Sequence, residues 1–308
     1  MTLDRRQLLA GLLALGACAP RSSPRGDVFA AGQPAAILVL APASDRLLGW
    51  PRRPSAAALA LLPGADLPET GALASGGAPA SLEAVAALSP SLIVDYGDLD
   101  PRYRGVAARV EQRLGVPYRL FDGALIRAPQ ALADAGLLLG RSERGRMLAN
   151  RAADLIDRWR RAAAGGPSFY YARGGDGLET GFVGSLATEV LEGAGWRNVA
   201  VGGGGRVGRV SREQVAAWDP EAIVTLDSAF ARAALADPFW ARGRSGRPRR
   251  LLLVPDLPFG WVDRPPSINR LLGCAWLGAG DRAAAEVATL LWSVPPAALA
   301  GIGARWLA

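Results

Sequence analysis

Two residue types are missing from this chain altogether, and their absence removes many functions at once. Its 308 residues contain no histidine and no lysine, so all 35 basic residues are arginine. Without histidine there is no Ser-His-Asp or Cys-His triad, and no HExxH or other histidine-based zinc site. Without lysine there is no P-loop and no Schiff-base chemistry. Cysteine is scarce too. Cys18 falls in the N-terminal segment and Cys274 in an apolar helical stretch, so no disulfide is expected and Cys274 reads as a buried core thiol.

Half of the residues are hydrophobic, enough for two modest α/β lobes. The net charge of +7 raises the question of nucleic acid. The arginines are scattered, however, and no basic run is interleaved with stacking aromatics, so nucleic acid is not an expected partner. A positive surface favours instead an anionic ligand or an acidic partner surface.

The first residues read as an export signal. Arg5 and Arg6 precede a short apolar run over residues 8–15, too short to cross a bilayer ~30 Å thick. Asp4-Arg5-Arg6-Gln7-Leu8-Leu9 is similar to a twin-arginine signal, and Sec export is equally open. Leu15-Gly16-Ala17-Cys18 is similar to a lipobox, which makes Cys18 the lipidated first residue of the mature protein; Ala17-Cys18-Ala19 is also an ordinary A-x-A cleavage site. The expected division is a leader at 1–18 and a tether at 19–30. An N-terminal α/β lobe follows at 31–126, a helical connection at 127–166 and a C-terminal α/β lobe at 167–308.

An internal echo supports two lobes. The stretch from Ser81 through Glu83, Val85 and Pro90 to Val94 recurs 130 residues on, from Ser211 through Glu213, Val215 and Pro220 to Val224. Each copy offers a serine N-cap, a short helix, a proline that ends it and a buried strand. Apolar residues at helical spacing over 131–139 and 144–164 predict one long helix joining the halves. The fold class expected is therefore α/β: two small, mostly parallel sheets flanked by helices, one backbone helix between them and a ligand cleft between the lobes.

Ligands gather at the carboxyl ends of strands in such lobes. That places Tyr96, Tyr171, Arg173, Trp261 and Arg264 as candidate ligand contacts, with Asn269 and Arg270 opening the next helix. Aromatic walls with guanidinium forks suit a large, partly apolar anion. Strand alternation predicts that one of Tyr170 and Tyr171 faces the core and the other the cleft. Gly203–Gly208 matches G-x-G-x-x-G but follows no Rossmann strand, so it reads as a loop. Asp176 and Glu179 lie on a glycine-punctuated loop and read as solvated charges rather than a glycosidase pair.

Several segments carry a wider resemblance. They include Leu67-Pro68-Glu69-Thr70-Gly71, the stretch from Tyr170 to Gly181, Gly193-Ala194-Gly195-Trp196-Arg197-Asn198, and Pro258-Phe259-Gly260-Trp261 running on to Gly273. Together with the echoed serine segments they resemble the helical-backbone class of periplasmic binding proteins of ABC importers. The resemblance implies a non-enzymatic, periplasmic and monomeric protein that captures a small molecule and delivers it to a membrane permease. It also implies that Glu83 and Glu213, one on each lobe, dock on that permease. A ferric siderophore is the favoured ligand, with cobalamin and molybdate or tungstate as alternatives; the missing histidine argues against bare zinc or manganese and leaves tyrosine as the ligand for haem. No cofactor, resident metal or catalytic residue is expected. An exported hydrolase or a non-transport sensor on the same scaffold is the competing class.

Overall fold

The computed structural model describes residues 26–74, 78–163 and 165–308. The leader, Cys18 and the tether up to residue 25 lie outside the described residues. Val28–Ala30, inside the expected tether, is instead the first strand, β1. Its three side chains are fully buried and pair in parallel with the next strand, an environment that a three-residue run does not announce in sequence.

The N-terminal lobe continues with α1 (Gln33–Ala43), α2 (Ala56–Leu61), α3 (Leu82–Ala87), β2 (Leu92–Gly97), α4 (Pro101–Leu114) and β3 (Tyr118–Asp122). Its sheet is parallel, in the order β1-β2-β3. Helix α1 is apolar all round and buried along residues 35–43, as a helix without a polar face must be. It runs through a hydrophobic cluster that also holds Trp261, Leu271 and Trp292 from the far lobe. One core therefore joins the two halves.

The helical connection is not one long helix. It is α5 (Ala128–Leu138) and α6 (Ser142–Arg161), separated by a turn in which Gly140 takes φ +70°. Gly140 adopts that left-handed geometry without steric cost, so the two periodic stretches 131–139 and 144–164 are separate helices rather than one. The two helices touch at Gly136 and Gly145, where a Cβ on Gly136 would lie 2.5 Å from the Gly145 Cα.

The C-terminal lobe comprises β4 (Ser168–Tyr171), β5 (Glu179–Gly181), α7 (Glu189–Gly193), β6 (Arg197–Asn198), β7 (Val207–Arg209), α8 (Arg212–Trp218), β8 (Ala222–Thr225), α9 (Ser228–Ala236), α10 (Pro238–Ala241), β9 (Arg250–Leu253), α11 (Arg270–Ala279), α12 (Asp281–Trp292) and β10 (Arg305–Trp306). Its main sheet has the order β10-β9-β8-β4-β6, with only β10 antiparallel, and β5 pairs with β7 in a separate ribbon.

The echo is structural. Ser81 and Ser211 both accept a backbone N–H three residues on, a cap worth ~1 kcal/mol each. Val85 and Val215 are both fully buried. Ser89 (φ 50°) and Asp219 (φ 45°), again 130 residues apart, both turn left-handed just before the proline. Each copy then delivers its strand into a parallel sheet. The glycine run 202–205 is a loop beside Phe182, leading to β7 rather than to a helix.

Candidate functional site

A cleft of about 620 Å³ opens between the lobes. The N-terminal lobe contributes Gln33 and Pro34 at the start of α1, the Arg52–Ser55 loop, Asp95 to Asp98 at the end of β2, and Tyr103 in the first turn of α4. The C-terminal lobe contributes Arg173, just beyond β4, with Leu186 and the Arg264–Pro266 loop. Strand ends thus build much of the cleft, as parallel sheets dictate.

Its charge is unbalanced. Four arginines and two aspartates line it. Arg53 is held by the Leu67 carbonyl at 3.0 Å and by Asp66. Arg173 is held by Asp263 at 3.3 Å and Glu179 at 3.6 Å. Burial works to lower the Arg173 pKa, but the neighbouring carboxylate of Asp263 with Tyr171 and Glu179 leaves it above the usual arginine value. Arg264 reaches Asp227 only at 4.0 Å, the limit of an ion pair, and its backbone is left-handed at φ +65°. For a bulky side chain that conformation costs ~1–2 kcal/mol, and such strain concentrates where geometry serves a ligand. The side chain of Arg52 makes no hydrogen bond among the described residues; its backbone N–H donates to Gln33 Oε1 at 3.1 Å.

Asp95 and Tyr96 form the floor. Asp95 is buried, which pushes its carboxyl above the ordinary aspartate value; the Tyr118 hydroxyl, donating at 2.8 Å, and the Tyr96 N–H oppose the shift. Tyr96 is 2 % exposed and its hydroxyl has no hydrogen-bond partner among the described residues. Burial raises its pKa, so it stays a neutral phenol.

Of the residues expected at the cleft, Tyr96, Arg173 and Arg264 line it. Tyr171, Trp261, Asn269 and Arg270 do not. Tyr171 is fully buried and its hydroxyl donates to Asp263 at 3.1 Å. Tyr170 is equally buried, donating to the Gly177 carbonyl. Alternation does send them to opposite faces, but helices cover both faces of a parallel sheet, so each meets a core. Trp261 is a core side chain whose Nε1–H donates to the Leu257 carbonyl. Asn269 accepts from the Ser267 N–H and donates to the Gly260 carbonyl, and Arg270 is wholly enclosed. The strand-end rule missed Arg52, Arg53 and Tyr103, and Asp98 at the end of β2 was passed over. An arginine doublet between Pro51 and Pro54 was the one available signal, since prolines on both sides mark a surface loop.

Glu83 and Glu213 are exposed in the first turns of α3 and α8. The backbone N–H of Glu83 itself, then Ser81, hold the first below its ordinary pKa; Ser211, then its own backbone N–H, hold the second. Both are charged at neutrality. Asp176 pairs with Arg209 and Glu179 with Arg173, so neither joins a carboxylate pair. Cys274 is buried, and burial pushes its thiol pKa well up. Among the described residues no three His, Cys, Asp or Glu side chains are placed to hold a metal ion, and no helix is long and apolar enough to cross a membrane.

This architecture is the two-lobed, helix-bridged fold of periplasmic substrate-binding proteins, and solved structures of that class are similar along nearly the whole chain. An ABC transporter solute-binding protein from Sulfurospirillum deleyianum superposes with a TM-score of 0.76 at 24 % identity, covering 92 % of this chain and 94 % of that one. A periplasmic heme-binding protein from Roseiflexus gives 0.61 at 21 %, over 84 % and 99 %. The ABC-type Fe3+-hydroxamate transport protein from Saccharomonospora viridis gives 0.56 at 20 %, over 82 % and 92 %. No protein-family model and no curated protein sequence matches the chain. At these identities the likeness is one of fold.

Proposed function

We propose that this chain is the periplasmic substrate-binding component of an ABC importer, and that it captures a ferric siderophore or a similar anionic iron chelate in the interlobe cleft. The observation that carries this reading is the cleft itself: about 620 Å³, lined by arginines from both lobes. That volume suits a whole chelate. A single small oxyanion would leave most of that volume unfilled. In a wrapped chelate the metal needs no protein ligand, so shape, apolar surface and guanidinium forks suffice. Glu83 and Glu213 are the docking charges for the two halves of the permease, and a lipidated Cys18 is the membrane anchor.

Heme is the second reading. It is favoured by Tyr103, whose ring is 37 % exposed and lines the cleft, because a phenolate ligates heme iron where histidine is missing. One titration panel tests both readings, following tryptophan fluorescence with ferric siderophores, cobalamin, molybdate and hemin. Saturable binding of a ferric chelate, weakened at least ~10-fold by Arg264→Ala through loss of a charge-assisted contact, is the expected result. Hemin binding abolished by Tyr103→Phe would favour the second reading. Silence across the panel would refute both.

A further inference from the structure

Beneath the cleft floor lies an ion pair that belongs to neither wall. Arg270, the first residue of α11, is 0 % exposed, and every hydrogen bond of its guanidinium is spent on structure. Nη1 donates to the Leu186 carbonyl at 2.9 Å and pairs with Glu189, while Nε donates to the Ser267 carbonyl at 3.1 Å. Nη2 crosses to the other lobe and donates to the Gly123 carbonyl. Glu189 crosses as well, its Oε2 accepting the Leu125 N–H at 2.9 Å. Two charges of the C-terminal lobe thus hold both ends of the loop that leaves β3.

The bonds continue into the cleft walls. Leu186, whose carbonyl accepts from Arg270, is itself a lining residue. Gly123 donates its N–H to the Gly97 carbonyl at 2.8 Å, and Gly97 lines the opposite wall. A Cβ on Gly123 would meet the Gly97 Cα at 2.8 Å, so the two backbones are already in contact. Ser267, held by Arg270 through its carbonyl, donates its hydroxyl to the Pro34 carbonyl at 2.7 Å, and Pro34 also lines the cleft. A buried ion pair contributes little net stability against well-packed apolar side chains. What it can fix is geometry.

We propose that Arg270 and Glu189 form an interlobe latch: positioning residues that set the width of the cleft before any ligand arrives. Each holds a backbone group of the N-terminal lobe, so opening the lobes breaks both of these bonds and strips the pair of its Gly123 carbonyl and Leu125 N–H partners. Its consequence for capture, that the ligand enters a cleft already near its bound width, rests on the function proposed above. The latch itself does not.

The test is a spin-label distance measurement on ligand-free protein, with labels at exposed Ala108 on α4 and exposed Ala233 on α9, and with Cys18 changed to Ser. The unlatched form is Arg270→Met with Glu189→Leu, which leaves no charge unpaired and so keeps a cooperative melt. Wild type is expected to give one narrow distance, and the double variant a distribution about twofold broader, as for lobes moving as rigid bodies. A folded double variant with a distribution as narrow as wild type overturns the proposal. Amide exchange on the wild-type protein gives a second measurement, independent of whether the variant folds. The Leu125 N–H is expected to be protected like the sheet cores, and exchange as fast as the exposed turn at Gly64 would equally overturn the latch. Neither measurement uses a ligand, so the transport reading can fail while the latch stands.

Discussion

A methyl group added at Gly136 should act oppositely to one added at Gly105, although both glycines sit inside helices. In an open helix, Gly→Ala gains up to ~1 kcal/mol through lower backbone entropy in the unfolded chain. Gly105 in α4 is such a case, for its added Cβ meets only the tip of the Arg109 side chain, at 3.5 Å. At Gly136 the Cβ would lie 2.5 Å from the Gly145 Cα, 3.0 Å from the Gly145 nitrogen and 3.0 Å from the Arg141 carbonyl. These are backbone atoms of the partner helix and the turn, and they cannot rotate away. Relief requires α5 and α6 to separate along their contact, at the upper end of the ~1–3 kcal/mol cost of overpacking. Subtracting the propensity gain leaves a net loss of ~1–2 kcal/mol. At about 2 °C per kcal/mol for a chain of this size, Gly136→Ala should lower the melting midpoint by ~2–4 °C, and Gly105→Ala should raise it by ~1–2 °C. Differential scanning calorimetry of the two single variants beside wild type is the assay. If Gly136→Ala melts at or above wild type, the close approach of α5 and α6 is wrong, and with it the packing of the interlobe connection.

Two further outcomes are expected. Trp261→Ala should cost ~3–5 kcal/mol in urea unfolding, the price of emptying a buried aromatic site; a loss below about 1 kcal/mol, typical of surface positions, would restore Trp261 to the cleft. Asp95→Asn should change the pH dependence of stability. Burial raises the Asp95 pKa above its ordinary 3.8, so the folded state carries no penalty below that value and loses stability as pH rises through the folded pKa. The difference in unfolding free energy, variant minus wild type, should therefore climb from pH 4 towards neutrality. A flat difference across that window would mean that Asp95 is not desolvated.

Much of the fold was legible because it repeats. A serine, a buried valine and a proline at matching positions around Ser81 and Ser211 are local signals, and each acts through neighbours within about ten residues in the chain. They suffice to specify a capped helix, a proline stop and a buried strand twice over; the left-handed exit at Ser89 and Asp219 came only from the structure. Missing histidine and lysine, likewise, exclude chemistry whatever the fold. Apolar periodicity over 131–139 and 144–164 correctly marked helix on both sides of Gly140, but the two stretches were joined into one helix because the turn between them is only a few residues long.

The site was only half legible. Strand ends brought Tyr96, Arg173 and Arg264 to the cleft, since a parallel sheet directs its carboxyl ends to one side. The same rule could not tell Tyr171 or Trp261 from a cleft aromatic: a tyrosine beside a wall and a tyrosine under one have the same sequence context, and only helices packed on both faces enclosed them. Arg52 and Tyr103 reach the cleft from loops and helix starts whose direction is set by packing far from them in the chain. By itself, then, the sequence determined the two α/β units, their caps and the chemistry they lack. Tertiary structure alone decided which arginines face solvent across the gap and which one, Arg270, is enclosed between the lobes, because burial depends on partners up to 147 residues away.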